Sequence, residues 1–164
     1  MPTAYFMDDS PVDPKADHHL DPPQFLSMED VKSLSGVEYW QVDVDNIEAD
    51  KKYWNLRSER GYNYEDLIEI SPTIMPDFDE KLKMFYSEHL HADEEIRLFF
   101  GGQGYFDVRD KNDKWIRIFA KRGDLLVLPA GIYHRFTLDN TTQCCEIPCS
   151  RHTANSQYTL ETSL

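Results

Sequence analysis

The fold is decided by residues 95–138, which read EIRLFFGGQGYFDVRDKNDKWIRIFAKRGDLLVLPAGIYHRFTL. Within this stretch apolar and polar residues alternate with a period of two, and turn residues interrupt the alternation every few positions. The pattern predicts strands at Ile96–Phe100, Tyr105–Arg109, Trp115–Phe119, Leu125–Leu128 and Tyr133–Leu138. Short strands joined by turns rich in Gly, Asn and Asp predict an antiparallel barrel or sandwich.

The residues that precede this stretch predict mainly helices and turns. Ser27 with Asp30 three residues later has the pattern of a capping box before a short helix. We expect helices over Ser27–Leu34, over Ile47–Arg60 and from Asp77 onward, with one strand at Tyr39–Val44. Helices ahead of a β core make the predicted fold class mainly β, or α+β.

The length and the charge of the chain limit its function. With 164 residues the chain can bury its own core, so one domain is expected. A formal net charge of -13 without any basic stretch argues against a nucleic-acid partner, because such binding depends on Lys and Arg that neutralise phosphates. Since no apolar leader and no apolar window of span length occurs, we expect a soluble intracellular protein with a small-molecule partner and no membrane contact.

Four residues form a candidate metal site. His89 and His91 are two positions apart, so on a strand their imidazoles lie on the same face. Glu95 follows four residues later, and His134 comes after a Pro-Ala-Gly turn on another predicted strand. Three imidazoles and one carboxylate suit an octahedral divalent ion such as iron, nickel, manganese or cobalt, with two positions left for a bidentate substrate.

The sequence offers two alternatives to this ligand set. Glu94 competes with Glu95, but neighbouring residues on a strand face opposite ways, so only one of them can reach the ion. A zinc hydrolase is a weaker alternative, because Glu94 stands where the His-x-His-x-Asp pattern needs another histidine. Any one of the histidines alone is explained better by an ordinary surface hydrogen bond, so the joint pattern carries the prediction.

The segments that contain the proposed ligands resemble the two motifs of the cupin family. The matching positions are His89, His91, Glu95 and Gly102 in the first motif, and Gly123, Pro129, Gly131 and His134 in the second. Lys83 stands where the first motif usually begins with Gly, and Leu138 stands where the second often ends with Asn. The resemblance implies that residues 1–140 form a single double-stranded β-helix, a jelly-roll-like barrel, with N-terminal helices as decoration.

Within the cupins, the chain resembles the acireductone dioxygenases of methionine salvage from about Ala4 to Asp139. The stretches that carry the resemblance are Met7–Asp9, Lys83–Tyr86, Glu88–His91, Glu95–Arg97, Gly104–Asp110, Trp115–Ile118 and Leu128–Phe136. The resemblance implies a cytoplasmic enzyme, with the nucleus as a second compartment, that binds one Fe(II) or Ni(II) per chain. We expect it to be a monomer.

The resemblance also implies the reaction. Acireductone, 1,2-dihydroxy-5-(methylthio)pent-1-en-3-one, reacts with O2 to give 4-methylthio-2-oxobutanoate and formate in the iron form. In the nickel form the products are 3-(methylthio)propanoate, formate and carbon monoxide. The two enediolate oxygens would occupy the two open metal positions, and the substrate itself would supply the electrons that reduce O2.

Three further residues are assigned to the substrate. Arg97 lies two residues beyond Glu95, on the same face of a regular strand, and could stabilise the anionic substrate. The family resemblance supports this role, and the alternative is a surface salt bridge. Phe85 and Phe136 match aromatic positions that shape the substrate pocket of the family, and the alternative for both is plain core packing.

After Asn140 the sequence departs from the family. Relatives continue with an apolar strand, a Trp-containing segment and a final helix, whereas this chain continues with the polar, cysteine-bearing residues 141–150. We therefore expect residues 141–164 to form a divergent, poorly ordered tail, with one barrel strand missing. Two alternatives to an active enzyme follow: a catalytically impaired interaction protein with a cupin fold, and another metal-dependent cupin enzyme.

Three other features are expected to have no functional role. His18 and His19 lie in an arm rich in Pro and Asp and are expected to be solvated. The cysteines at 144, 145 and 149 are odd in number and lack the paired Cys-x-x-Cys spacing, so neither a disulfide framework nor a soft-metal site is expected. The Gly101–Gly104 segment precedes a strand and is expected to form a turn and not a phosphate-binding loop.

Overall fold

The computed structural model describes residues 1–142 and 145–151. In these residues the strands are β1 (Thr3–Met7), β2 (His19–Leu26), β3 (Glu38–Gln41), β4 (Tyr64–Ile70), β5 (Glu95–Leu98), β6 (Gln103–Arg109), β7 (Trp115–Lys121), β8 (Asp124–Leu128), β9 (His134–Leu138) and β10 (Cys145–Arg151). The α-helices are α1 (Met28–Ser35), α2 (Lys51–Arg60) and α3 (Phe78–Tyr86), and a 3-10 helix covers Val44–Ala49. The five strands predicted between residues 95 and 138 are confirmed as β5 to β9.

The strands form two antiparallel sheets. The first has the order β2-β1-β7-β6-β9, and the second has the order β3-β8-β5-β10-β4. From β5 onward the chain passes repeatedly between them: β6 and β7 form a hairpin in the first sheet, β8 returns to the second, β9 to the first and β10 to the second. This connectivity confirms a mainly β, cupin-type fold with helices outside the sheets.

The main core lies between the two sheets. Side chains of both sheets fill it, among them Phe106, Val108, Ile116, Ile118, Phe136 and Leu138 of the first sheet. In β8, Leu126 and Leu128 face this core, whereas Leu125 and Val127 belong to a second apolar cluster that includes Leu56 of α2. Because both faces of β8 are covered, its sequence is a continuous apolar run and not an alternating one.

The first helix follows its predicted caps, whereas Asp77, at the start of α3, makes no capping hydrogen bond with its side chain. Ser27 Oγ accepts from the backbone N–H of Asp30, the Asp30 carboxylate accepts from the backbone N–H of Ser27, and Gly36 ends α1 in a left-handed conformation. α2 is shorter than predicted, since Asp50 caps it through the backbone N–H of Tyr53 and separates it from the 3-10 helix. In the part of the chain that the structure describes, no helix is both long and apolar enough to cross a membrane.

Three strands occur where the sequence predicted only helices and turns. β1 lies between β2 and β7, while β2 and β4 each form an edge of their sheet. β2 contains the consecutive prolines Pro22 and Pro23, and β4 carries three acidic residues among its seven. An edge strand tolerates proline and charge because one side of its backbone and much of its side-chain surface face water. The alternation that identifies a half-buried strand is therefore weak in both.

β10 corrects the expectation that a strand is missing after Asn140. Cys145–Arg151 pairs with Tyr64–Ile70 of β4 along its whole length, and its last three residues also pair with Glu95–Arg97 of β5. An antiparallel ladder is formed by backbone groups, so a polar sequence can complete it. Residues 143, 144 and 152–164 lie outside the described residues, as do the predictions made for Cys144 and for the rest of the tail.

His18 corrects a second expectation, because its side chain is buried. Its Nδ1 lies 2.7 Å from Asp8 Oδ1, and its Nε2 lies 2.8 Å from the carbonyl oxygen of Asp13. His19 is half-buried and packs against the Tyr5 ring, with the ring centroids 4.0 Å apart. The arm between β1 and β2 is thus fastened to the protein by its own side chains and is not a solvated linker.

Candidate metal centre

Two of the predicted ligands are held side by side by their own backbones. The N–H of His89 donates to the carbonyl of His134 at 3.1 Å, and the N–H of His134 donates to the carbonyl of His89 at 2.9 Å. His134 is the first residue of β9, whereas His89 forms an isolated bridge just after α3. The prediction that His89 lies on a regular strand is therefore wrong, but the bridge brings the two ring centroids to 4.4 Å.

The orientation of these two rings follows from one repeated contact. His89 Nδ1 lies 2.7 Å from the carbonyl oxygen of Ser87, and His134 Nδ1 lies 3.0 Å from that of Ile132, in each case two residues earlier. A carbonyl oxygen accepts a hydrogen bond, so Nδ1 carries the proton and the lone pair remains on Nε2. Burial lowers the pKa of His134 to about 4, although Glu95 opposes the shift, so its imidazole is neutral near pH 7.

The third histidine and the glutamate complete the group. Ring nitrogens of His89, His91 and His134 all lie within 4.8 Å of one another. Glu95 Oε1 lies 3.7 Å from His91 Nε2 and 3.9 Å from His134 Nε2. Donor atoms that share one ion lie on the order of 3 to 4 Å apart, because each is about 2 Å from the metal. The four side chains therefore converge on a space of the size that one ion requires.

Glu95 is fully buried and ionised. Burial alone raises the pKa of its carboxyl group, but Arg97, His91 and His134 outweigh burial and hold the pKa at about 2. Arg97 is the nearest cation, with Nε 3.2 Å and a terminal nitrogen 3.1 Å from Glu95 Oε1. Arg97 is itself buried, so the alternative of a surface salt bridge is excluded.

Glu94 points away from this group. Both of its carboxylate oxygens accept from Arg60, at 2.9 and 2.8 Å, and one of them accepts from the hydroxyl of Tyr62 at 2.5 Å. The structure thus places Glu95 and not Glu94 beside the histidines. On β5 the alternation continues, because Glu95 and Arg97 face the space between the sheets whereas Ile96 and Leu98 pack in the cluster beneath α2.

A cavity lies beside His89, His134 and Arg97. Its lining residues are Ile68, Ile70, Phe85, His89, Arg97, Phe106, His134 and Phe136. Phe85 and Phe136 line this cavity, and both also belong to the main core. Phe106, Ile68 and Ile70 were missed. The pairing of Phe106 with Phe136 across β6 and β9 could have identified the first, but the other two lie on β4, which the sequence did not reveal.

The residues present fit a divalent ion. The neutral imidazole of His134, two further imidazoles within reach and one ionised carboxylate form a mixed nitrogen and oxygen donor set. Such a set suits iron, nickel, manganese or cobalt better than a thiolate-preferring metal. One guanidinium and an apolar wall adjoin it, so the site can bind a small anion that has an apolar end.

Comparison with known proteins gives one consistent answer. Residues 3–147 match the model of the ARD/ARD' family. The chain is 53% identical over 136 residues to acireductone dioxygenase 1 of Physcomitrium patens, which covers 83% of this chain and 70% of the relative. It is 51% identical over 139 residues to acireductone dioxygenase of Homo sapiens, covering 85% and 77% of the two chains.

A solved structure agrees in fold. Acireductone dioxygenase from Bacillus anthracis, solved with a cadmium ion in its active centre, superposes with a TM-score of 0.70 and 20% identity. The match covers 93% of this chain and 94% of that one. At this identity the likeness concerns the arrangement of the strands and helices, whereas the family model and the relatives above half identity concern the sequence itself. By these matches the chain belongs to the ARD/ARD' family.

Proposed function

We propose that this chain is a metal-dependent dioxygenase that cleaves acireductone with O2. The observation that carries the proposal is the convergence of His89, His91 and His134 beside the Glu95–Arg97 pair at the wall of an apolar cavity. Relatives more than 50% identical bear the name acireductone dioxygenase and cover four-fifths or more of the chain. The alternative of a catalytically impaired protein rested on a missing strand, and β10 removes that reason for residues 145–151.

The proposed ligands are His89, His91, Glu95 and His134, which would hold one Fe(II) or Ni(II) per chain. Support comes from the donor set, from the distances between its atoms and from the metal in the active centre of the Bacillus anthracis relative. When bound, the ion would supply Lewis-acid chemistry and a template for the two enediolate oxygens of the substrate. The neutral state of His134 and the ionised state of Glu95 are those that bind a metal at neutral pH.

The other residues act on the substrate. Acireductone is an anion in its reactive form, and the guanidinium of Arg97 is the cation that lies nearest the site within the described residues. A buried guanidinium interacts strongly with such an anion, because little water screens it. Phe85 and Phe136 form apolar walls that would receive the methylthio end and keep water from the enediolate.

The proposal includes different products for different metals. The iron form would give 4-methylthio-2-oxobutanoate and formate, and thereby serve methionine salvage. The nickel form would give 3-(methylthio)propanoate, formate and carbon monoxide. The support for this difference is the family membership. The same residues would hold either metal, so the side chains named above do not distinguish the two reactions.

The test compares one protein loaded with two metals. Metal-free protein is reconstituted anaerobically with Fe(II), with Ni(II) or with Mg(II) as the control, and freshly generated acireductone is added with O2. We expect substrate and O2 consumption with iron and nickel only, a 2-oxo acid with iron, and carbon monoxide with nickel. Equal rates with Mg(II), or binding of metal without any consumption of acireductone above the uncatalysed rate, would overturn the proposal.

A further inference from the structure

The segment between the proposed ligands His91 and Glu95 is held by hydrogen bonds to residues outside the metal site. Residues 91–95 carry His91 at one end and Glu95 at the other, and the backbone between them lies outside any strand until β5 begins. At the His91 end, the carbonyl oxygen accepts from the N–H of Gly131 at 2.9 Å. Toward the Glu95 end, the carboxylate of Glu94 accepts three hydrogen bonds, two from Arg60 and one from Tyr62.

These contacts come from the end of α2. Arg60 is the last residue of the helix, Gly61 ends it in a left-handed conformation, and Tyr62 follows directly. Arg60 donates to both oxygens of Glu94, and the Tyr62 hydroxyl donates to one of them. Burial and then the bond to Glu94 raise the pKa of Tyr62, so the hydroxyl keeps its proton and remains a donor.

The same arginine extends the connection to the sheet. Its other terminal nitrogen donates to Glu38 at 2.8 Å, and Glu38 also accepts from Lys32 at 3.1 Å. Glu38 begins β3, whose partner β8 pairs in turn with Glu95 of β5. The guanidinium of Arg60 therefore links the loop before Glu95 to β3, which belongs to the same sheet as Glu95.

We infer that Glu94, Arg60 and Tyr62 are positioning residues for the metal: they hold the loop so that His91 and Glu95 reach the ion together. Neighbouring side chains of an extended segment face opposite ways, so a Glu94 fixed outward keeps Glu95 inward. Partners that orient ligands change metal affinity by roughly 10-fold to 100-fold when they are removed. The inference rests on the proposed metal site and assigns part of its affinity to residues that touch neither metal nor substrate.

The experiment measures metal binding and not turnover. Metal-free wild-type protein and variants are titrated with Co(II), and the dissociation constant and the visible spectrum are recorded, with urea unfolding of each metal-free variant in parallel. Glu94→Ala and Arg60→Gln should each weaken Co(II) binding roughly 10-fold and alter the spectrum. The double variant should be little weaker than either single one, since both remove the same contact.

Two conservative variants guard against misfolding. Arg60→Lys retains a donor and should recover part of the affinity, and Tyr62→Phe removes only one hydroxyl and should give a smaller loss in the same direction. Arg57→Gln is the matched control: Arg57 lies on the same helix and pairs with Glu65, but it makes no bond to residues 91–95. This control should lose stability without a change in Co(II) affinity.

The outcomes separate this inference from the proposed function. If wild-type protein binds no Co(II), the metal site itself fails and the inference fails with it. If wild-type protein binds Co(II) while Glu94→Ala and Arg60→Gln remain within twofold of it, the metal site stands and the positioning role is wrong. A loss of affinity in Arg57→Gln equal to that in Arg60→Gln would also overturn the inference, because general loosening of α2 would then explain both.

Discussion

Two clusters of buried charged and polar side chains lie on opposite faces of the first sheet, and they differ in the hydrogen-bond and ion-pair partners of their side chains. Inside, the ring centroids of His89 and His134 lie 4.4 Å apart, and His134 Nε2 lies 3.9 Å from Glu95 Oε1. Outside, Asp107 accepts from Arg117 at 2.7 and 2.9 Å and from Arg135 at 2.9 Å. The inner cluster contains one guanidinium, that of Arg97, beside donor atoms that a metal ion would join, whereas the outer cluster pairs one carboxylate with two guanidinium groups.

The two arginines of the outer cluster also have further partners. Arg117 is fully buried, and its remaining donor reaches the carbonyl oxygens of Pro14 and Ala16 at 3.0 and 2.6 Å. Arg135 packs between the rings of Tyr86 and Trp115, at 4.2 and 4.0 Å from their centroids. Donors satisfied by carboxylate and carbonyl oxygens serve stability, so burial and charge alone do not identify a functional site.

The largest effect should come from removing one inner ligand. His134→Ala and His91→Ala should each reduce the metal content from about one ion per chain to a small fraction, and activity should fall with it, because a donor that sets the geometry is lost. Elemental analysis of purified protein measures this, with His19→Ala as the control outside the cluster. Full metal occupancy in both ligand variants would contradict the assignment of the site.

Breaking the outer cluster should have the opposite signature. Asp107→Asn leaves two guanidinium groups with a neutral partner in a buried position, and loss of a buried ion-pair partner costs about 3 to 5 kcal/mol. Urea unfolding should show this loss of stability, while the fraction that remains folded should retain its metal. A variant that keeps its stability but loses metal would mean that the two faces of the sheet are coupled.

Arg97 belongs to the inner cluster yet should affect turnover more than binding of metal. Arg97→Met keeps most of the apolar contact but removes the cation beside the substrate, and turnover should fall by about 100-fold, as for removal of one donor to a developing anion. Metal content should change little, because Glu95 retains His91 and His134 nearby. Steady-state kinetics of the wild type and Arg97→Met at equal metal loading measures this difference in turnover. Arg97→Lys is the control variant that keeps the charge. Unchanged turnover would assign Arg97 to structure.

The two clusters also differ in how well they can be predicted from the sequence. His89, His91, Glu95 and His134 stand in short motifs. Strand alternation allows only one of Glu94 and Glu95 to reach the ion, and the match to the family motif selects Glu95 without any tertiary information. Asp107, in contrast, depends on the register of β6 with both β7 and β9, which opposes it to Arg117 and to Arg135. Pairings of distant segments have no local signature, so partners of this kind appear only in the fold.

The same distinction explains the missed edges of the fold. β5 to β9 have apolar faces that the sequence alternation displays, whereas β2 contains two prolines and β4 carries three acidic residues among its seven. β10 was missed because its place is fixed by the open backbones of β4 and β5 and not by its own polar sequence. Ile68 and Ile70 of β4 line the cavity. Because the sequence did not predict this edge strand, it did not predict that part of the site either.

The smallest expected effect concerns the arm that closes the outer cluster. Asp8 accepts from Ser10 and lies 2.7 Å from the ring of His18, and these contacts, the His18 contact first, lower the pKa of the Asp8 carboxyl. A lowered pKa in the folded state means that stability is gained above the ordinary value of 3.8 and is lost as the pH falls through the folded pKa. Water reaches Asp8, so the contribution should be about 1 kcal/mol or less.

Comparing the wild-type protein with Asp8→Asn isolates that contribution from the other carboxylates. At pH 7 the wild type should be the more stable by this small amount in urea unfolding, and the difference should shrink toward zero as the pH is lowered from 4 toward 2, because the protonated aspartic acid and the asparagine then resemble each other. The metal content at pH 7 should be equal in the two proteins, since the arm contacts the outer face of the sheet. Equal stability of the two proteins at pH 7 would show that the arm is held by its backbone contacts to Arg117 and not by the Asp8 charge.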